Sequence, residues 1–422
     1  MAKGRKTRIR LVINEIDPVP LMKDFNTFIT YLVENKPYLT RRKQFFSPKD
    51  LHQINQLMSS SNKENTPRTN QELYPLLHLF YHLIFYGKLF EKVSVGSQKV
   101  RIQKTDRMEG YLALTSTEKY FFLLETFWVD CDWNKLASEH RIESTIWQVM
   151  NTMEFIVKRS PGKTIFLDKR SSLYFENFFM LYLSFFSFFK VTRNEELHKT
   201  SQIRRYFPIA SLTPSPLGVT LASILCKERP LEKWNLPYRW KVEGKVLSFP
   251  GLGVNQQSEK LYVPFFKAFT QFFQERELQK SLPRKPRELT RGTFIFKISV
   301  GKGTWRKIVI SGEDTLEDLH SAIQSAFCFD FDHLYAFFMD GKTWSHNAIY
   351  APNCDEGPYA DEIRIGELEL VAEKEFLYLF DFGDEWHFYV RLVEIKKEHP
   401  EFSEPEVIES KGEAPEQYSY WE

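Results

Sequence analysis

Residues 293–327 read TFIFKISVGKGTWRKIVISGEDTLEDLHSAIQSAF, and this stretch decides the fold of the C-terminal third. Phe294, Phe296, Ile298 and Val300 recur every second residue, which gives a strand one buried face. Gly301 and Gly303 permit a turn, and Arg306 to Ile310 returns as a second strand. Thr315 followed by Asp318 forms a capping box at the head of a helix that buries Leu316, Leu319, Ile323, Ala326 and Phe327. Leu334 to Met339 is a third strand, closed by the turn signal Asp340-Gly341. Glu375–Phe382 and Trp386–Ile395 are two more, reversing around Gly383, where a positive φ is expected. Strand, strand, helix and meander predict one sheet with a helix packed on it, in a β-grasp-like arrangement.

These same blocks carry a resemblance. TFIFKISV, TWRKIVIS, TLEDLHSAIQSAF, HLYAFFMDGKTW and FLYLFDFGDEWHFYVRL are similar, in that order, to the plasmid pRiA4b ORF-3-like family. The most specific piece is Asp381-Phe382-Gly383-Asp384 with Trp386. The family places a His two residues after this Trp. Here Phe388 stands there and His387 one position earlier, which on a strand is the opposite face. The resemblance implies an α+β fold and a plasmid or mobile-element setting, and it brings no assigned activity.

Upstream, Ser47-Pro48-Lys49-Asp50 is a helix start with Ser as N-cap, Pro in the first turn and an acid behind it. A polar loop over 59–70 precedes an apolar-periodic helix from Gln71 to Tyr86, closed by Gly87. Strands are expected at Lys88–Val93, around Val100 and at Tyr111–Leu114, before a helix capped at Thr115 or Ser116. Helices followed by a strand pair are the order of a winged helix, with the hairpin as its wing. A second copy is suggested after the Phe-rich helix, where a strand over 204–211 ends in Leu212-Thr213 and opens a helix to Cys226, as Leu114-Thr115 does in the first. Tandem units and a chance likeness both account for this. Leu261–Gln279 reads as a further apolar helix, and the basic, Pro-containing 281–292 as a boundary.

The predicted class is therefore α+β. A mainly helical region comprises a winged-helix-like unit over 1–135 and a helical, possible second unit over 136–285, and the α+β domain follows over 286–422.

A formal charge of +2 on 422 residues excludes a polyelectrolyte, so nucleic-acid contact requires local patches. Arg41, Arg42 and Lys43 precede the first helix, and Lys99, Arg101 and Lys104 line the wing; these are the candidate phosphate contacts. The glutamates over 398–416 would repel phosphate, which places duplex DNA contact in the N-terminal half. Four cysteines without C-x-x-C spacing fit reduced thiols in a cytoplasmic protein. The run FFMLYLSFFSFF over 178–189 falls short of the roughly 20 residues a membrane span needs.

No phosphate loop, nucleophile elbow or zinc-protease pattern is present, so no catalytic residue and no cofactor are assigned. His78 and His82 are four apart but lack the adjacent Glu of a metalloprotease helix. His333, Asp381, Asp384 and His387 are the candidate metal ligands at the strand ends, with Asp residues beside a Gly turn as the simpler reading. The expectation is an accessory protein that binds DNA or a protein partner. The alternative is a metal-dependent enzyme using those strand ends.

Overall fold

A computed structural model describes residues 11–14, 20–40, 43–61, 63–95, 99–137, 142–168, 178–200, 207–243, 264–283, 289–345, 348–354, 358–368, 370–396, 398, 402 and 404–418. The chain divides into two compact units. One comprises Met1–Lys36, Ser47–Glu91 and Lys104–Pro283, the other Pro37–Phe46, Lys92–Gln103 and Arg284–Glu422.

The first part of the chain runs α1 (Pro20–Asn35), β1 (Tyr38–Leu39), α2 (Pro48–Leu57), α3 (Pro75–Tyr86), β2 (Phe90–Val95) and β3 (Lys99–Lys104). These strands form one sheet in the order β1-β3-β2, so the last strand is central. Ser47 caps α2 as expected, its side chain accepting from the amide of Asp50 at 3.1 Å. Where the sequence suggested a strand at Tyr111–Leu114, the chain forms helix α4 (Arg107–Leu112). Met108 and Tyr111, three residues apart, are its buried positions, a helical rather than an alternating pattern.

Helix α5 (Ser116–Glu125) opens on a full capping box between Thr115 and Glu118, and a π-helical turn over Thr126–Asp130 ends it. Then come α6 (Trp133–Ala137), α7 (Ile142–Val157), β4 (Ile165–Phe166), α8 (Phe178–Phe185), β5 (Phe189–Arg193), α9 (Glu195–Thr200) and β6 (Ile209–Pro214). Their sheet has the order β4-β6-β5, again with the last strand central. Helices α10 (Pro216–Glu228), α11 (Leu231–Trp234) and α12 (Leu236–Glu243) follow.

The core of this unit is aromatic. Phe25 meets Phe80 edge-on at 5.1 Å and Tyr111 at 5.9 Å, and Phe127 stacks on Phe186 at 5.1 Å. Helix α3 carries no charged residue and is buried from Leu77 to Ile84; it packs on α8, whose sequence is FFMLYLSF. The predicted helix over 261–279 is not one helix. Its described residues form two 3-10 turns, Phe265–Ala268 and Thr270–Phe272, set by Pro264, which bury Phe265, Phe266 and Phe269.

The second unit contains a seven-stranded sheet of β7 (Thr293–Val300), β8 (Thr304–Ser311), β9 (Tyr335–Phe338), β10 (Ala348–Tyr350), β11 (Glu375–Phe380), β12 (Trp386–Lys396) and β13 (Glu406–Lys411). The spatial order is β10-β9-β11-β12-β7-β8-β13, and every pair is antiparallel. Helix α13 (Leu316–Phe327) begins with the expected capping box and presents Leu316, Leu319, Ile323 and Phe327 to the core. The helix-bearing face of the sheet supplies Phe294, Phe296, Ile298, Phe376, Tyr378, Phe388 and Val390. The α+β class and the helix packed on a sheet are as read from residues 293–327.

Candidate functional site

A polar array is buried in the second unit between α13 and the sheet. Glu317, His320 and Gln324 are spaced i, i+3 and i+7, which puts them on one face of α13. The opposing strands supply Tyr335 from β9 and Tyr378 from β11. The amide of Gln324 donates to the Tyr378 oxygen at 2.5 Å, and the Tyr378 hydroxyl is hydrogen-bonded to His320 Nδ1 at 2.7 Å. The His320 ring stacks on Tyr335 at 3.8 Å with an 8° interplanar angle. The Tyr335 hydroxyl donates to Glu317 at 2.6 Å.

Burial disfavours charge throughout this array. It pushes the His320 pKa down to about 4 and both phenols up, with the Glu317 carboxylate raising Tyr335 further. His320 is thus a neutral imidazole at neutral pH. This array orients rings and holds protons in fixed places.

A pH dependence follows. The folded pKa of His320 lies below its ordinary 6.5, so the unfolded chain takes up the proton first as pH falls. The stability this neutral ring contributes is full above about 6.5 and lost as pH drops towards about 4. We expect the thermal midpoint of the C-terminal sheet to fall across that window, and His320→Gln to flatten the fall. Equal slopes in the two proteins would show that other groups set the acid limit.

Phe380 separates this array from a second, exposed cluster; its ring lies 6.2 Å from His320 and 6.0 Å from His333. His333 Nε2 is 3.5 Å from Asp381 Oδ2 and 3.6 Å from Asp332 Oδ2. Both carboxylates are already engaged. The Tyr418 hydroxyl donates to Asp332 at 2.6 Å and holds it below the usual carboxylate range. Asp381 Oδ1 accepts from the amides of Gly383 at 2.8 Å and Asp384 at 3.3 Å, an Asx-type turn.

The positive φ expected at Gly383 falls instead on Asp381 (57°) and Glu385 (51°), and Asp tolerates that region better than most residues. His387 lies on strand β12, where Nε2 is 3.2 Å from Thr343 Oγ1 and Nδ1 is 2.5 Å from the Glu385 carbonyl. The structure thus joins His333 to Asp381 but gives His387 other partners. Among the described residues no group of three or more His, Cys, Asp and Glu is arranged to hold a metal ion.

Of the candidate phosphate contacts, Arg41 and Arg42 lie outside the described residues. Lys43 sits over the Phe45 ring at 5.5 Å, and Lys99 over Tyr38 at 5.2 Å. Lys99, Arg101 and Lys104 lie on the central strand β3, with Lys99 and Lys104 exposed and Arg101 half-buried. His78 and His82 are buried on α3 with their rings 4.6 Å apart. Among the described residues no helix is long and apolar enough to cross a membrane.

The polar array is hidden in the sequence because the apolar stripe of α13, Leu316–Leu319–Ile323–Phe327, dominates its pattern. The signal was the second stripe, Glu317–His320–Gln324, beside a lone Tyr378 in an apolar strand.

Residues 297–418 match the family model described as plasmid pRiA4b ORF-3-like protein. The match lies in the C-terminal third, over the sequence blocks that carry the resemblance. A crystal structure of a protein of unknown function from Methanosarcina mazei Go1 is similar at 29% identity. The likeness covers 30% of this chain and 72% of that one, with a TM-score of 0.26. No curated protein matches the chain.

Proposed function

We propose that this chain is an accessory protein of plasmid or mobile-element type that acts by binding. Its N-terminal part is read as two tandem winged-helix-like units, and its C-terminal domain as a recognition module. The observation that carries this reading is a repeated topology. One stretch runs α1-β1-α2-α3-β2-β3 with sheet order β1-β3-β2, and a later one runs α7-β4-α8-β5-α9-β6 with sheet order β4-β6-β5, so each sheet has its last strand central. The shared strand permutation supports the tandem reading, while the helix α9 between β5 and β6 has no counterpart between β2 and β3.

In a helix that reads DNA, one face must be polar and free to enter the major groove. The helix in that place, α3, is buried and packed on its counterpart α8. Duplex contact is therefore assigned to β3, where Lys99, Arg101 and Lys104 grip phosphates without reading bases. Such binding treats unrelated duplexes alike and falls steeply with salt.

An anisotropy titration of the full chain against two unrelated duplexes tests this. Changing Lys99, Arg101 and Lys104 together to Ala should flatten the log–log salt slope by up to about 2.7. If the unaltered chain binds no duplex at low salt, the repeated units are protein-interaction modules and the DNA reading falls. Strong preference for one duplex would equally sink the assignment to β3.

A further inference from the structure

The face of the C-terminal sheet away from α13 carries two ordered rows of side chains. Strand pairing aligns Arg391, Lys297 and Lys307 across β12, β7 and β8. The neighbouring row aligns Tyr389, Ser299 and Trp305 across the same strands. Cross-strand neighbours stand about 4.8 Å apart, and the two rows about 6.8 Å along the strands. Three cations side by side repel one another, an arrangement a stable sheet does not select for itself.

The ends of the cation row are tied to acids: Arg391 lies 3.7 Å from Glu373, and Lys307 pairs with Glu409. The central Lys297 makes no ion pair among the described residues. Its ammonium rests 4.3 Å from the Trp305 ring centroid, and burial together with Arg391 and Lys307 pushes its pKa down. Tyr389, one row away, is 58% exposed.

We propose that this sheet face binds single-stranded nucleic acid, its phosphates along the row Arg391–Lys297–Lys307 and its bases over the row Tyr389–Ser299–Trp305. The chemistry favours this occupant over the others. Phosphates relieve the repulsion at Lys297, and each neutralised charge releases counterions. Every unpaired base offers a π-face to an exposed ring, whereas the bases of a duplex are already stacked on each other. An acidic peptide satisfies the cations but leaves the aromatic row idle.

Acids continue the cation row at both ends, Glu375 beside Arg391 and Glu409 beside Lys307, but the strand neighbours of Lys297 are both cations and no glutamate stands in the register of Ser299. Glu406 and Glu409 sit on β13, at the sheet's edge. This surface is separate from the β3 strand proposed above to touch duplex DNA, so the two assignments stand or fall apart.

The test is an anisotropy titration of the full chain with a labelled twelve-residue oligothymidylate. Tyr389→Ala, at an exposed position, should weaken binding about tenfold, the scale of one lost base stack. Lys297→Gln should flatten the log–log salt slope by about 0.7, one phosphate on a single strand. The variant lacking Lys99, Arg101 and Lys104 should bind the oligonucleotide as the unaltered chain does. Absence of binding at low salt overturns the proposal, as does unchanged affinity in Tyr389→Ala. Displacement by polyphosphate of equal charge, as readily as by unlabelled oligonucleotide, would reduce the surface to a simple anion site and overturn it too.

Discussion

Gly218→Ala should unfold the N-terminal unit at temperatures where the unaltered chain is intact. A Cβ at this position would stand 1.9 Å from the Phe188 carbonyl oxygen and 2.4 Å from its carbon. Both partners are main chain, so no side-chain rotation relieves the overlap. The first turn of α10 lies against the chain between α8 and β5, and hydrogen bonds lock it there. Ser215 donates from its amide to Phe188 at 3.1 Å and from its hydroxyl to Ser187 at 2.5 Å, while accepting from Gly218 at 2.8 Å. Moving α10 outward breaks these and opens the packing of Leu217 and Leu221. We expect a loss of about 3–5 kcal/mol, at the upper end for a single substitution. For a unit of this size that lowers the thermal midpoint by about 10–15 °C in calorimetry. A shift within about 2 °C would mean that α10 and Phe188 do not approach so closely.

Arg306→Met should loosen the edge of the C-terminal sheet at a cost of about 2–4 kcal/mol. Arg306 is buried on the core face of β8 and bonds to carbonyls rather than to a carboxylate. Its Nε donates to Ala326 at 3.0 Å, near the C-terminus of α13, where carbonyls lack helical partners. Its Nη1 donates to Lys411 at 3.2 Å and Gly412 at 3.1 Å, at the end of β13. The guanidinium also lies over Phe327 at 4.8 Å, a contact the Met side chain partly keeps. One side chain therefore ties helix, sheet and edge strand together. Hydrogen exchange should quicken across Glu406–Lys411 in the variant before it quickens in β7. Equal protection of both strands would show that β13 is held by its ladder alone.

Periodicity and capping chemistry made the C-terminal fold legible. The alternation at Phe294–Val300 and the Thr315–Asp318 box each specify an element from local residues, and the structure has both. Local signals failed where two periods fit equally. Tyr111-Leu112-Ala113-Leu114 is a short apolar run that fits a strand or a helix equally, yet Leu112 is exposed and Tyr111 buried within a helical turn. The phenylalanines from 265 to 273 are spaced for a helix, but their described backbone forms short 3-10 turns. The candidate sites were less legible for a different reason. His320, Tyr335 and Tyr378 come from a helix and two strands that only tertiary packing brings together. The row Arg391–Lys297–Lys307 depends on strand register, which no single strand declares. The pairing of His333 with Asp381 does join two residues the sequence had singled out, while His387 went to a different neighbourhood.

The packing of α3 on α8 has a consequence for biosynthesis. Phe25 and Phe28 of α1 reach Phe80 from upstream, but α6, α8 and the π-helical turn, which also pack on α3, lie downstream of it. Its apolar surface leaves the ribosome well before the residues that shield it, with Phe185 emerging roughly a hundred residues after Tyr86. At about 5–20 residues per second that interval lasts about 5–20 seconds. During it the nascent chain presents a partly covered PLLHLFYHLIFY segment, a natural client for a holding chaperone. Arrested chains ending near Asp130 should be cleaved within that segment, and chains extended past Trp234 should resist. Helices that shield each other across about a hundred residues of chain cannot mature one at a time.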